Sequence, residues 1–174
     1  MGDRPSIGDG PQARELFGTR FDLAVAFHDL LARHGEERGL IGPRELPRLW
    51  DRHIINSALV TRMLPKTGNL VDVGSGAGLP GIVIAIARPS MQIDLIEPME
   101  RRTDWLKEVV TQLQLENVTV KRGRAEEFHD AFEYDYVTAR AVAPMDRLVR
   151  WCLPLAKPGG QLLAMKGQRA EEEL

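Results

Sequence analysis

Between Glu15 and Arg38 the apolar residues Leu16, Phe17, Phe21, Leu23, Ala24, Phe27, Leu30 and Leu31 recur on one side of a helical period. This predicts an amphipathic helix with Gly18 as a candidate break. Gly42-Pro43 ends the pattern. A second helical stretch runs from Glu45 to about Met63, carrying Leu46, Leu49, Trp50, Ile54, Ala58 and Leu59. From residue 69 the rhythm changes to short apolar runs alternating with helical ones. The predicted strands are Leu70–Val73, Ile93–Ile96, Val118–Val120, Tyr136–Ala139 and Gln161–Met165. Between them fall helical segments at Pro80–Ala87, Glu100–Leu113, a short piece near Ala125–Phe128, and Asp146–Cys152. Alternation of this kind implies an α/β fold: a doubly wound, mainly parallel sheet with helices on both faces, here with an N-terminal helical extension.

Composition narrows the class. The 174 residues suffice for one domain with a real core. The Gly-, Pro- and Asp-rich residues 1–13 read as a disordered tail, 14–66 as the helical extension and 67–174 as the sheet domain. A formal charge of −2 carries no whole-chain basic signature, and Cys152 as the single cysteine fits a reducing compartment. No run approaches the roughly 20 apolar residues of a membrane span, and the N-terminus lacks a signal-peptide pattern. These features predict a cytoplasmic protein without a membrane partner. No His, Cys, Asp and Glu cluster has metal-ligand spacing.

The chemistry concentrates in Leu70-Val71-Asp72-Val73-Gly74-Ser75-Gly76-Ala77-Gly78-Leu79-Pro80-Gly81. A buried strand ends in an acid, passes through a glycine-rich turn and enters a helix, the arrangement that binds a ligand beyond the carboxyl ends of parallel strands. Gly76, Gly78 and Gly81 match the dinucleotide G-x-G-x-x-G spacing, so a nicotinamide or flavin enzyme is one reading. Asp72 opposes it, because a carboxylate there would repel a pyrophosphate. It suits S-adenosylmethionine, which bears an ammonium and a sulfonium but no phosphate. Glu97, 19 residues after Gly78, ends the second strand and fits ribose hydroxyls. Asp72, Gly74, Gly76, Gly78 and Glu97 are therefore the candidate cofactor residues.

Six motifs, in order, then match one family. They are Trp50-Asp51-Arg52-His53-Ile54-Ile55-Asn56-Ser57, the glycine turn from Asp72, Glu97-Pro98 with Arg101-Arg102, Arg122-Gly123-Arg124-Ala125-Glu126-Glu127, Thr138-Ala139-Arg140-Ala141-Val142-Ala143, and Met165-Lys166-Gly167. Over about residues 14 to 170 the chain resembles the bacterial 16S rRNA guanine-N7 methyltransferases, the RsmG or glucose-inhibited division protein B family. The resemblance implies a Rossmann-like class I S-adenosylmethionine-dependent methyltransferase fold and methyl transfer to N7 of a guanine in 16S rRNA, with S-adenosylhomocysteine as product. It implies backbone contacts to the cofactor from Gly74 and Leu79, framing of the adenine by Ala125 and Glu126, and Arg140 beside both cofactor and RNA. The family usually adds two further C-terminal strands, which the chain is expected to lack.

The residues bear on the acceptor independently. Where exocyclic-amine methylation calls for an Asn/Asp-Pro-Pro-aromatic loop, this chain reads Ala139-Arg140-Ala141-Val142. Cys152 lies in an apolar helical setting and reads as a structural thiol rather than a nucleophile. Guanine N7 carries a lone pair and no proton, so Arg140 would position rather than exchange protons, and no His–carboxylate pair is expected near the strand ends. His53 reads as a satisfied histidine rather than a base. Arg101, Arg102, Arg124 and Lys166 are the basic candidates for RNA contact. Residues 99–174 hold 12 Lys and Arg against 13 Asp and Glu, so such a surface must be a local patch. The expected partner is 16S rRNA or the 30S subunit, engaged by a monomer. A small-molecule methyltransferase and a cofactor-sensing RNA-binding module without catalysis are the alternatives.

Overall fold

The computed structural model describes residues 10–131, 133–140 and 144–165. Five strands form one sheet: β1 (Gly68–Val73), β2 (Met91–Glu97), β3 (Val118–Arg122), β4 (Tyr134–Arg140) and β5 (Ala156–Met165). All pairings are parallel and the order is β3-β2-β1-β4-β5. The order reverses direction between β1 and β4, the switch point at which doubly wound sheets open a ligand crevice.

Every predicted element forms. Gly18 does divide the first helix, into α1 (Pro11–Phe17) and α2 (Phe21–His34). The α1 helix opens with Pro11 at its first position and buries Ala13, so it begins inside the stretch expected to be a tail. The second helical stretch is continuous from Leu46 to Met63 but irregular. A 3-10 turn leads into a π-helical segment (Leu49–Ile55), then α3 (Asn56–Leu59) and a second 3-10 turn. Then come α4 (Gly81–Ala87), α5 (Glu100–Gln112) and α6 (Met145–Cys152).

One boundary differs. Lys157-Pro158-Gly159-Gly160 belongs to β5, which starts at Ala156 rather than Gln161. β5 is an edge strand, where proline costs no ladder bond, and its register against β4 shifts between Tyr134 and Tyr136.

Alternation along β1 assigns the two faces. Leu70 joins the core shared by α1, α2, α3, α4 and α5, while Val71 joins the core beneath α6. The α4 helix is apolar on all sides: Ile82, Val83, Ile84 and Ile86 are all buried, against the sheet on one side and the helical extension on the other. A fully buried side chain of this kind contributes about 1.5–3 kcal/mol. The extension and the sheet therefore share one core.

Candidate functional site

The carboxyl ends of β1, β2 and β4 carry the site. Register sets Asp72 opposite Thr138 on one side and Leu95 on the other. By alternation the Asp72 side chain shares the face of Leu70 and meets α4. Its carboxylate accepts the Thr138 hydroxyl at 2.9 Å and the Gly81 amide at 3.0 Å, and the Ser75 hydroxyl donates to the Asp72 carbonyl at 2.9 Å. Asp72 is 1% exposed. This corrects the expectation that it faces a ligand's cation: it lies behind the turn and caps α4. Burial raises its pKa to about 6, against the opposing pull of these hydrogen bonds and of Arg140.

Glu97 behaves similarly. It is buried, its carboxylate accepts the Gly76 amide at 3.1 Å, and an Arg102 nitrogen lies 3.8 Å away. It is absent from the lining of the two cavities described below, while its neighbours Ile96 and Pro98 line the larger and its partners Gly76 and Arg102 the smaller.

Five of the turn's amides have partners within the protein. Gly74 and Ser75 donate to the Ile96 carbonyl, Gly76 to Glu97, Gly78 to Ser75 and Gly81 to Asp72. A pyrophosphate needs such amides free; here two carboxylates already occupy two of them. The glycines divide their tasks. A Cβ at Gly78 would sit 2.7 Å from Ile82 and one at Gly81 2.3 Å from Leu95, so these two serve close packing. Gly74, at φ +70°, has nothing within 4 Å of its missing Cβ and borders open space.

That space is two adjoining cavities sharing Gly74 and Arg140. The larger, about 270 Å³, lies on the α6 side and is bordered by Val73, Ile96, Pro98, Ala125, Glu126 and Trp151. His129 holds its far wall through a ring nitrogen 2.8 Å from the Trp151 carbonyl. Cys152 also borders it, and burial pushes its thiol up to about 11. The smaller, about 170 Å³, lies on the α4 side between Ser75, Gly76, Leu79, Arg102, His53 and Ile41. The Trp105 indole donates to the Ala77 carbonyl at 3.0 Å and braces the turn from α5.

The basic candidates separate. Arg102 and Arg124 border the cavities, while Arg101 is exposed on α5 outside them. Lys166 and Ala141–Ala143 lie outside the described residues. Arg140 ends β4 between the two cavities, where burial lowers its pKa and the Asp72 and Glu45 carboxylates oppose that effect. It pairs with neither Asp135, which is bound to Lys157, nor Glu97.

Its neighbour is His53, whose Nδ1 lies 3.3 Å from an Arg140 nitrogen while Nε2 lies 2.8 Å from Glu45. The expectation of no His–carboxylate pair near the strand ends is thereby overturned. The pair comes from the extension, 87 residues from Arg140, and the only sequence signal was His53 inside the Trp50–Ser57 motif. Both ring nitrogens are engaged, so the pair does not present a base to the cavity. Among the described residues no three His, Cys, Asp or Glu cluster to hold a metal, and no helix is long and apolar enough to cross a membrane.

The parallel sheet with its cleft at the β1–β4 switch point has the Rossmann-like architecture of class I methyltransferases. Solved structures share it: a coclaurine N-methyltransferase bound to N-methylheliamine and SAH (TM-score 0.55, 15% identity, 90% of this chain and 54% of that one) and P. horikoshii TYW2 in complex with MeSAdo (TM-score 0.57, 14% identity, 66% and 43%). The family described as rRNA small subunit methyltransferase G matches residues 20–174. Proteins of that name from Beutenbergia cavernae and Thermobifida fusca are each 56% identical over 162 residues, covering 93% of this chain and 76% and 68% of theirs. The chain belongs to the rRNA small subunit methyltransferase G family.

Proposed function

We propose that the protein transfers a methyl group from S-adenosylmethionine to N7 of a guanine in 16S rRNA, acting as a monomer in the cytoplasm. Family membership makes it a small-subunit rRNA methyltransferase. The observation that carries the cofactor assignment is the turn whose amides are spent on Ile96, Glu97, Ser75 and Asp72 beside an open cleft. Val73, Ile96, Pro98, Ala125 and Trp151 supply apolar cover for an adenine there. Gly74, Gly76 and Leu79 border the cavity on the α4 side, and Glu126 borders the larger one on the α6 side.

When bound, S-adenosylmethionine supplies a methyl group on a sulfonium. The chain's own contribution is orientation. N7 has no proton to remove, and the histidine at the site has both nitrogens committed, which agrees with chemistry that needs no base. Arg140, shared by both cavities, is placed to hold the acceptor against the cofactor. Arg102 and Arg124 at the rims, with Arg101 and Lys166, are the proposed contacts to RNA phosphates. N7 lies on the groove edge that A-form RNA hides, so the target guanine must be splayed or unpaired.

Incubation with labelled cofactor and either 30S particles or naked 16S rRNA, followed by mapping of modified bases, tests this. Label on guanine N7 is expected. Label confined to another base or to a small molecule would sink the acceptor assignment.

A further inference from the structure

His53 stands where the helical extension meets the site, and its two ring nitrogens face partners of opposite kind. Nε2 is 2.8 Å from the Glu45 carboxylate, and Nδ1 is 3.3 Å from Nη2 of Arg140. A guanidinium only donates, so Nδ1 must carry the lone pair. The proton then resides on Nε2 and donates to Glu45, which accepts it. All three side chains are sheltered: Glu45 and His53 expose about a fifth of their side-chain area and Arg140 is half-buried. His53 lies in the π-helical segment Leu49–Ile55, a local widening of the helix that recurs at functional sites.

We propose that the Glu45–His53 pair is a positioning device for the methyl-transfer reaction: Glu45 sets the imidazole tautomer, and the bare Nδ1 aims the Arg140 guanidinium into the shared wall of the two cavities. The inference rests on the function proposed above. It assigns to the extension a share in the active geometry that strand ends alone do not provide. The carboxylates facing Arg140 are Asp72 from β1 and Glu45 from the extension, and both attract it. Attraction has no fixed direction at this range; the Nδ1 contact does, because a lone pair lies in the ring plane.

The two amide replacements of histidine separate this role from mere packing. In His53→Asn the amide oxygen takes the place of Nδ1 and keeps an acceptor for Arg140. In His53→Gln the amide nitrogen takes the place of Nε2 and keeps a donor for Glu45 while the Nδ1 acceptor is lost.

Turnover on 30S particles, S-adenosylhomocysteine calorimetry and thermal melting are measured for both variants, for Glu45→Gln, for Arg140→Ala and for His53→Gln/Arg140→Ala. His53→Gln is expected to lower kcat about tenfold, the worth of one charge-assisted hydrogen bond, with cofactor affinity within about threefold of wild type. His53→Asn should recover most of that loss, and the double variant should be no slower than Arg140→Ala. Equal activity of the two amide variants, or additive losses in the double variant, would overturn the proposal.

A readout independent of turnover is the long-range proton–nitrogen spectrum of the imidazoles, with His53 assigned from its variants. Wild-type His53 should be protonated on Nε2 and lose that preference in Glu45→Gln. Protonation on Nδ1 overturns the proposal even if the variants melt early. Should wild-type protein transfer no methyl group to rRNA, the acceptor assignment fails, and the tautomer still decides the positioning claim.

Discussion

The Gly81 amide donates to the Asp72 carboxylate at 3.0 Å, so the strand that enters the glycine turn also caps the helix that leaves it. Thr138 on β4 donates to the same carboxylate, tying both strands of the switch point to α4. A charged group is thus spent on geometry at the place where a ligand must approach backbone. The cost shows in its titration.

Asp72 has its pKa raised to about 6, burial being the main cause. The fold therefore favours the protonated acid. Its contribution to stability is fully present below the unfolded carboxylate value of about 4 and is lost as pH rises through about 6. Asp72→Asn removes that dependence. Between pH 4 and pH 7 the stability of wild type relative to the variant should fall by about 2 kcal/mol, most of what a shift of two pH units carries at 1.36 kcal/mol each. Urea unfolding at both pH values checks it, and a flat difference would refute the assignment.

Gly81→Ala and Gly74→Ala should fail in different ways. A methyl group at Gly81 meets Leu95 at 2.3 Å and Asp72 at 2.6 Å, so overpacking of about 1–3 kcal/mol is expected in the melting curve. At Gly74 the methyl group enters open space at the cavity wall, and the positive φ costs about 1–2 kcal/mol. Calorimetry with S-adenosylhomocysteine should show the larger affinity loss, relative to stability loss, at Gly74.

Trp105→Phe keeps the buried ring on α5 but removes the hydrogen bond to the Ala77 carbonyl. The expected stability loss is about 0.5–1.5 kcal/mol. Ala77 borders the cavity, so cofactor affinity should fall as well. Unchanged binding in a well-folded variant would show that the turn holds itself without this brace.

Cys152 lines the larger cavity yet has its thiol pushed up to about 11 by burial. Native protein should resist iodoacetamide at pH 8, where almost no thiolate is present, and react at the rate of a free thiol only after unfolding. Mass spectrometry of timed samples decides this. Rapid native alkylation would mean that the wall formed by α6 opens.

Strong periodic patterns made the architecture legible. Leu70–Val73 and Ile93–Ile96 place apolar residues on both faces, each run interrupted by one aspartate, as strands covered by helices tend to, and α5 carries Trp105, Leu106 and Val109 at helical spacing. The start of β5 was hidden because Pro158 and two glycines imitate a turn, and only edge position and a register shift accommodate them in a strand. Gly74, Leu79, Ala125, Glu126 and Arg140 were found as strand-end and motif residues, and all five border the cavities. Asp72 and Glu97 stand out in the sequence for their charge, and in the structure both carboxylates accept amides of the turn. A carboxylate at a strand end can face a ligand or turn back to collect amides, and residue type alone does not distinguish the two.

By itself the sequence determined the parallel sheet, the glycine turn and the family, because each is written in spacings shorter than one element or in ordered motifs. Only the tertiary structure decided what the acids do and who stands beside Arg140. Side-chain direction at a strand end follows from the pleat and from which helix packs beneath it. The contact between His53 and Arg140 joins positions 87 residues apart, where no local period reaches. Gly74 borders open space, and the fold turns the Asp72 and Glu97 carboxylates onto the turn's own amides.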